Sequence, residues 1–308
     1  MSRALAVALA GLVLFAANSC LAQTAAPCSL GKISSLPLEM HPDGLVSIPV
    51  TVDDKTMSMA VDTGSYISSI TFATAGSLGL KPKLSRFVGG FPNAPVFFYA
   101  NISSFAIGPS AGENLQFFII PSRLMPPGVA GLLGPDVMKT FDIDLDFAHG
   151  ALNVFAPNTC QSAPVYWTQQ AYAEVPMTVD KDWKIVVPAL LDGRAVTVII
   201  DTGSARSFMS YEAAKSIFGW KDGDATLKLG TIDMNGGPVQ IYRHPFSTLT
   251  MEGIQVSYPD IDLAQGKTFD NHGRDDVQIV LGMSVLRQLH MYIGYQAQKL
   301  YLTSAEAR

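Results

Sequence analysis

Ile48-Pro49-Val50-Thr51-Val52-Asp53 runs on to Val61-Asp62-Thr63-Gly64-Ser65, and Val187-Pro188-Ala189-Leu190-Leu191-Asp192 runs on to Ile200-Asp201-Thr202-Gly203-Ser204. In both copies the proline stands 13 residues before the second aspartate and the turn aspartate 9 before it, so the two align without a gap at an offset of 139. Each copy alternates β-branched and apolar residues, passes a polar turn, and ends a second apolar run at Asp-Thr-Gly-Ser. That is the pattern of a β-hairpin with a carboxylate where the strand gives way to a loop. Asp192-Gly193 is a strong turn signal and Asp53-Asp54 a weaker one. Ser68 then aligns with Ser207, and Phe72 with Tyr211.

A second block repeats further on. Leu132-Leu133-Gly134 with Val137, Met138 and Phe141 matches Val280-Leu281-Gly282 with Val285, Leu286 and Leu289 at an offset of 148, and the same register pairs Leu145, Leu152 and Val154 with Ile293, Leu300 and Leu302. Each half therefore reads as hairpin, short helix, further strands, short helix and closing hairpin. The fold class expected is all-β with a few short helices, in two similar lobes. The expected boundaries are a leader over 1–22, an N-terminal lobe over 23–160, a linker over 161–174 and a C-terminal lobe over 175–308, with the first strand near Leu45.

The 308 residues suffice for two cores; 48% are hydrophobic and only 15% charged, a packed rather than a disordered composition. A net charge of −5 offers no basic surface for nucleic acid. Arg3, the apolar run from Ala4 to Ala16 and Cys20-Leu21-Ala22 read as an export signal with a small-residue cleavage site, pointing to a periplasmic or secreted protein. Lipid attachment at Cys20 is the alternative reading of the same segment. No later apolar run is long enough for a spanning helix. Cys28 and Cys160 would meet an oxidising compartment, where pairing is the ordinary fate and separate burial the alternative. The five histidines are scattered without ligand spacing, so neither metal nor cofactor is expected.

The two Asp-Thr-Gly-Ser motifs and the two apolar-apolar-Gly blocks resemble those of the pepsin-like and retropepsin-like aspartic peptidases. The resemblance implies a two-lobed barrel-type fold with Asp62 and Asp201 as a catalytic pair, acting on a peptide or unfolded protein, with one chain as the complete active unit. It further implies that Thr63 and Thr202 interlock the two loops, and that Gly64 and Gly203 allow the carboxylates to approach. Ser65 and Ser204 would donate to the outer carboxylate oxygens, and Gly134 and Gly282 would lie under the loops. A flap is expected at 87–99 around Gly89-Gly90, with a counterpart at Gly236-Gly237; the Tyr-Trp pair that braces the flap of pepsin has no match. The chemistry implied is hydrolysis by a water activated between two carboxylates that share one proton. The competing reading is a catalytically silent protein that holds a peptide or other ligand in the same cleft.

Overall fold

A computed structural model describes residues 29–306 except 92–93, 159–163, 182, 222, 235–236, 267–268 and 270–273, with 87–91 and 94–97 as backbone. Both sequence hairpins form. Val46–Val52 pairs antiparallel with Lys55–Val61, and Ile185–Leu191 with Arg194–Ile200. The turn residues take left-handed backbone, Asp53 and Asp54 at φ 45° and 64°, Asp192 and Gly193 at 46° and 75°. Such turns match the twist of the flanking strands. The turn aspartates also carry a tertiary bond. Asp53 Oδ1 accepts from the amides of Ser103 and Ser104, and Asp192 Oδ1 from those of Ser247 and Thr248, all at 2.7–2.9 Å. This is why Asp53-Asp54 succeeds without a glycine.

In each lobe the second hairpin strand also pairs in parallel with the strand of the apolar-apolar-Gly block, Lys55–Val61 with Val129–Leu133 and Arg194–Ile200 with Ile279–Leu281. The short strands Ser69–Thr71 and Ser207–Ser210 lie on the other side of that block and lead into helices Phe72–Ser77 and Tyr211–Phe218. Thr71 and Ser210 cap those helices through their side chains. Helices Pro135–Met138 and Met283–Leu286 follow the two block glycines.

The closing hairpins do more than finish each half. Asp142–Asp146 and Ala151–Phe155 from the first half join Leu289–Gly294 and Lys299–Ser304 from the second in one six-stranded sheet, edged by Lys32–Pro37 and Ala173–Pro176. Across the seam Ile143 faces Ile293, Asp144 faces Tyr292 and Leu145 faces Met291. Under the 148 offset Asp144 corresponds to Tyr292, so the pseudo-twofold axis passes between them. The expectation of a first strand near Leu45 is therefore corrected. Residues 32–37 already form an edge strand, hydrogen-bonded to the end of the first half.

One face of this sheet, with Ile143, Leu145, Leu152, Val154, Met291 and Ile293, belongs to a core that runs continuously through both lobes. The other face carries Asp142, Asp144 and His290, all buried. There the His290 Nε2 meets Asp144 Oδ1 at 2.5 Å, Tyr166 donates to Asp144, and Trp167 stacks on His290 with ring centroids 4.1 Å apart. Tyr166 and Trp167 thus form a packed cover; beneath it Asp144 and His290 are paired, and Asp142 Oδ2 accepts from the Asn158 amide and the Tyr292 hydroxyl.

Candidate active site

Asp62 and Asp201 directly follow the second strands of the two hairpins, and both are nearly inaccessible to solvent. Their amides donate to the carbonyls of Leu133 and Leu281, each at 3.0 Å, which continues the parallel pairing one residue past the strand. Each carboxylate is fixed by its own loop. Gly64 N donates to Asp62 Oδ1 and Gly203 N to Asp201 Oδ1, both at 2.9 Å.

The two loops hold each other crosswise. Thr63 Oγ1 donates to the Ile200 carbonyl (2.8 Å) and accepts from Thr202 N (3.0 Å), while Thr202 Oγ1 donates to the Val61 carbonyl (2.7 Å) and accepts from Thr63 N (3.1 Å). All four bonds are buried and all cross between lobes. The glycines follow from the same closeness. A Cβ on Gly64 would stand 2.2 Å from the Asp201 Cγ, and one on Gly203 would stand 2.2 Å from the Asp62 Cγ. Each carboxylate thus rests on the backbone of the opposite loop, in space that any side chain would fill.

Gly134 and Gly282 lie directly beneath. Added carbons there would press within 2.6 Å of Ser65 Oγ and within 2.2 Å of the Arg206 carbonyl. Their amides donate to the hydroxyls of Ser68 and Ser207, each at 2.9 Å. Behind Ser68 lies Asp136, which takes bonds from the Ser68 amide and hydroxyl at 2.8 Å. Burial raises the Asp136 pKa above the ordinary carboxylate value, against the opposing pull of those bonds. The second lobe uses Ser284 at the equivalent place, donating to Ser207 Oγ at 3.0 Å.

One expectation changes. The hydroxyls of Ser65 and Ser204 do not reach the carboxylates; they donate to the carbonyls of Asp62 (3.2 Å) and Arg206 (2.7 Å). They close the loop backbone, an ordinary local use of serine in a turn. Sequence reasoning did not single out Lys184, which is fully buried. Its ammonium donates to the Gly64 carbonyl and lies 4.3 Å from the centre of the Tyr66 ring. The Asp180–Lys184 turn aims it there, with the Lys184 amide on Asp180 Oδ1 at 2.9 Å. The signal was available in the repeat, since the 139 offset aligns Lys184 with Leu45 and Tyr66 with Ala205.

Of the flap candidates, Gly89 and Gly90 lie near the tip of the hairpin Lys83–Phe91/Ala94–Ile107, and Gly237 opens the strand Gly237–Arg243 of the hairpin begun by Lys228–Met234. Gly236, Cys28, Cys160 and the leader lie outside the described residues.

A family model described as aspartyl protease matches twice, over residues 48–137 and 187–285. No curated protein matches the chain in sequence. Among solved structures, the aspartic proteinase of Irpex lacteus is similar with a TM-score of 0.55 at 13% identity, over 89% of this chain and 97% of that one. Basic 7S globulin from soybean gives 0.52 at 11%, over 90% and 98%, and conglutin gamma, a basic 7S globulin from lupine seeds, gives 0.50 at 12%, over 90% and 95%. These likenesses show the fold, which proteinases and globulins share. The duplicated family match, covering more than half of the residues and both Asp-Thr-Gly-Ser loops, shows that the chain belongs to the aspartyl protease family.

Proposed function

We propose that the protein is an aspartic endopeptidase, with Asp62 and Asp201 as the catalytic residues. The observation that carries this reading is the reciprocal seating of each carboxylate on the opposite loop's glycine, where only a hydrogen atom fits. Like charges held so close do not both ionise, and the pair shares one proton. The ionised carboxylate takes a proton from a water lodged between the two as that water attacks the scissile carbonyl. The protonated partner hydrogen-bonds the carbonyl oxygen, and the leaving nitrogen receives a proton as the tetrahedral intermediate collapses. The crossed threonines keep both carboxylates in register for this exchange, which tolerates little misplacement.

The globulin likenesses make ligand binding without hydrolysis the competing reading. Hydrolysis of an unfolded protein, followed with and without a statine-type inhibitor, separates the two. Wild-type protein should cleave and be inhibited, while Asp62→Asn and Asp201→Asn should each fold normally and retain less than a few per cent of activity. Cleavage that survives either substitution would remove the dyad from the mechanism.

A further inference from the structure

The cross-strand register places one row of side chains on the face of each lobe that carries its catalytic aspartate. In the second lobe the row starts at Ile199, two residues before Asp201 and therefore on its side of the strand. It continues through Val280, Phe208, Asp262, Arg243 and Lys228, each directly opposite the next. The opposite face, with Val198, Ile200, Met209, Leu263 and Ile279, is the lobe core, against which Tyr242 packs. The matching row in the first lobe reads Ala60, Leu132, Ser69, Phe118, Tyr99 and Lys83. The two rows correspond strand for strand, and they differ in chemistry. Where the first lobe has Phe118 and Tyr99, the second has Asp262 and Arg243.

A third cation joins the second row. Arg206 follows the Asp201 loop and takes the place that Ile67 holds in the first lobe. Its Nε bonds Asp262 Oδ2 at 2.6 Å, and Arg243 Nε approaches Asp262 Oδ1 at 3.3 Å. The carboxylate between them is 1% exposed, whereas the arginine side chains are 35% and 52% exposed. A buried anion therefore anchors two guanidiniums, Arg206 through both Nε and Nη2 and Arg243 through Nε, and each keeps further N–H donors of its own. Lys228 stands directly opposite Arg243, a like-charge pairing that destabilises a sheet. Three cations against one carboxylate leave this wall with a net charge of about +2 on a chain whose total is −5. In the first lobe Lys83 instead lies over the Tyr99 ring, 6.0 Å from its centre.

We infer that Arg206 and Arg243 form a specificity subsite for an acidic side chain of the peptide substrate, while the equivalent wall of the first lobe takes an apolar or aromatic one. The inference rests on the proposed peptidase reading. The two guanidiniums meet at Asp262, which lies three strands from Ile199, about 14 Å across the sheet, a distance that an extended peptide covers in about four residues. The acidic residue accordingly falls within about four positions of the scissile bond. Bidentate guanidinium bonding to a carboxylate supplies the selectivity, since the amide isostere of the same shape lacks the charge.

The test uses a cleavable peptide in which each position within about four residues of the scissile bond is in turn Glu or Gln. At low ionic strength one position should show a kcat/KM about tenfold higher for Glu, a preference that salt reduces. In Arg206→Met and in Arg243→Gln that Glu/Gln ratio should fall below about twofold. Arg243→Gln leaves Arg206 on Asp262, so it serves if Arg206→Met fails to fold. Cleavage with a ratio near one at every position, or a ratio unchanged in a folded variant, would overturn the subsite while leaving the peptidase reading intact. If no peptide is cleaved, the peptidase reading fails instead. Calorimetric binding of the Glu and Gln peptides to wild-type protein then decides the subsite: tighter binding of the Glu peptides supports it, and equal or absent binding overturns it.

Discussion

Replacing Lys184 by methionine removes one buried charge next to the dyad while keeping an unbranched side chain of similar length. The ammonium donates to the Gly64 carbonyl, and Gly64 is the residue on which the Asp201 carboxylate rests. The path from Nζ through that carbonyl and the Gly64 Cα to the carboxylate is at most about 9 Å by standard bond and hydrogen-bond lengths. A unit charge at that distance, at an effective dielectric constant near 20, is worth about 2 kcal/mol, a little over one pH unit. The sign is fixed. A cation favours ionised carboxylates, so its loss raises both apparent pKa values of the pair and moves both limbs of the kcat/KM profile upward by about one pH unit. Folding stability should change little, within about 2 kcal/mol, because losing the bond to Gly64 is offset by no longer burying an ammonium. The assay is a kcat/KM profile against pH for wild type and Lys184→Met, each first shown to be folded by thermal melting. Limbs that stay within a few tenths of a unit, or that move down, would refute the electrostatic role and leave Lys184 as a tether between loops.

The crossed threonines give a stability prediction independent of activity. Thr63→Val leaves the Thr202 amide and the Ile200 carbonyl buried without their partner, which should cost about 2 to 5 kcal/mol in denaturant unfolding; a loss under about 0.5 kcal/mol would show that the interlock does not hold the lobes. Asp136→Asn tests the buried carboxyl behind Ser68. A folded pKa raised by burial means that wild-type stability falls as pH rises from about 4 through the folded value, so the variant should gain over wild type at pH 7 and lose that gain near pH 4. An advantage equal at both pH values would contradict the shift. Finally, Ser65→Ala with Ser204→Ala should leave the alkaline limb in place, because neither hydroxyl touches a carboxylate; an upward shift would return them to the dyad.

Much of this architecture is legible in the sequence. The gapless match around Asp62 and Asp201 encodes hairpin, turn and loop together, and each matched residue has a physical role. The turn aspartates pin a neighbouring strand, the threonines cross, and the glycines make room. Ser68 and Ser207 match as well, but pairwise alignment cannot say that their hydroxyls receive the amides of Gly134 and Gly282. The shared six-stranded sheet is hidden for a different reason. Asp142-Ile143-Asp144-Leu145-Asp146 alternates as a strand with one wet face should, and nothing local reveals that Tyr166 and Trp167 will cover its polar side. A period of two reports which residues share a face, and says nothing about what packs on it.

The residues that sequence reasoning passed over share one property: they are places where the two copies disagree. Lys184 stands for Leu45, Arg206 for Ile67, Asp262 for Phe118, Arg243 for Tyr99 and Ser284 for Asp136. Agreement between copies marks what a twofold pair of carboxylates requires, since both loops must present the same group in the same geometry. The proposed hydrolysis, however, asks unlike things of the two carboxylates and of the two sides of the cleft, because a peptide has direction and a dyad sharing one proton has one proton to place. A symmetric frame acquires that distinction only through unmatched residues near the axis, and a buried cation on one loop is such a residue. The four changes of charge between apolar or aromatic side chains and ionisable ones all fall on the second half. The first half has leucine, isoleucine, phenylalanine and tyrosine at those positions, so at these four places the two copies differ in charge and the ionisable groups lie in one copy.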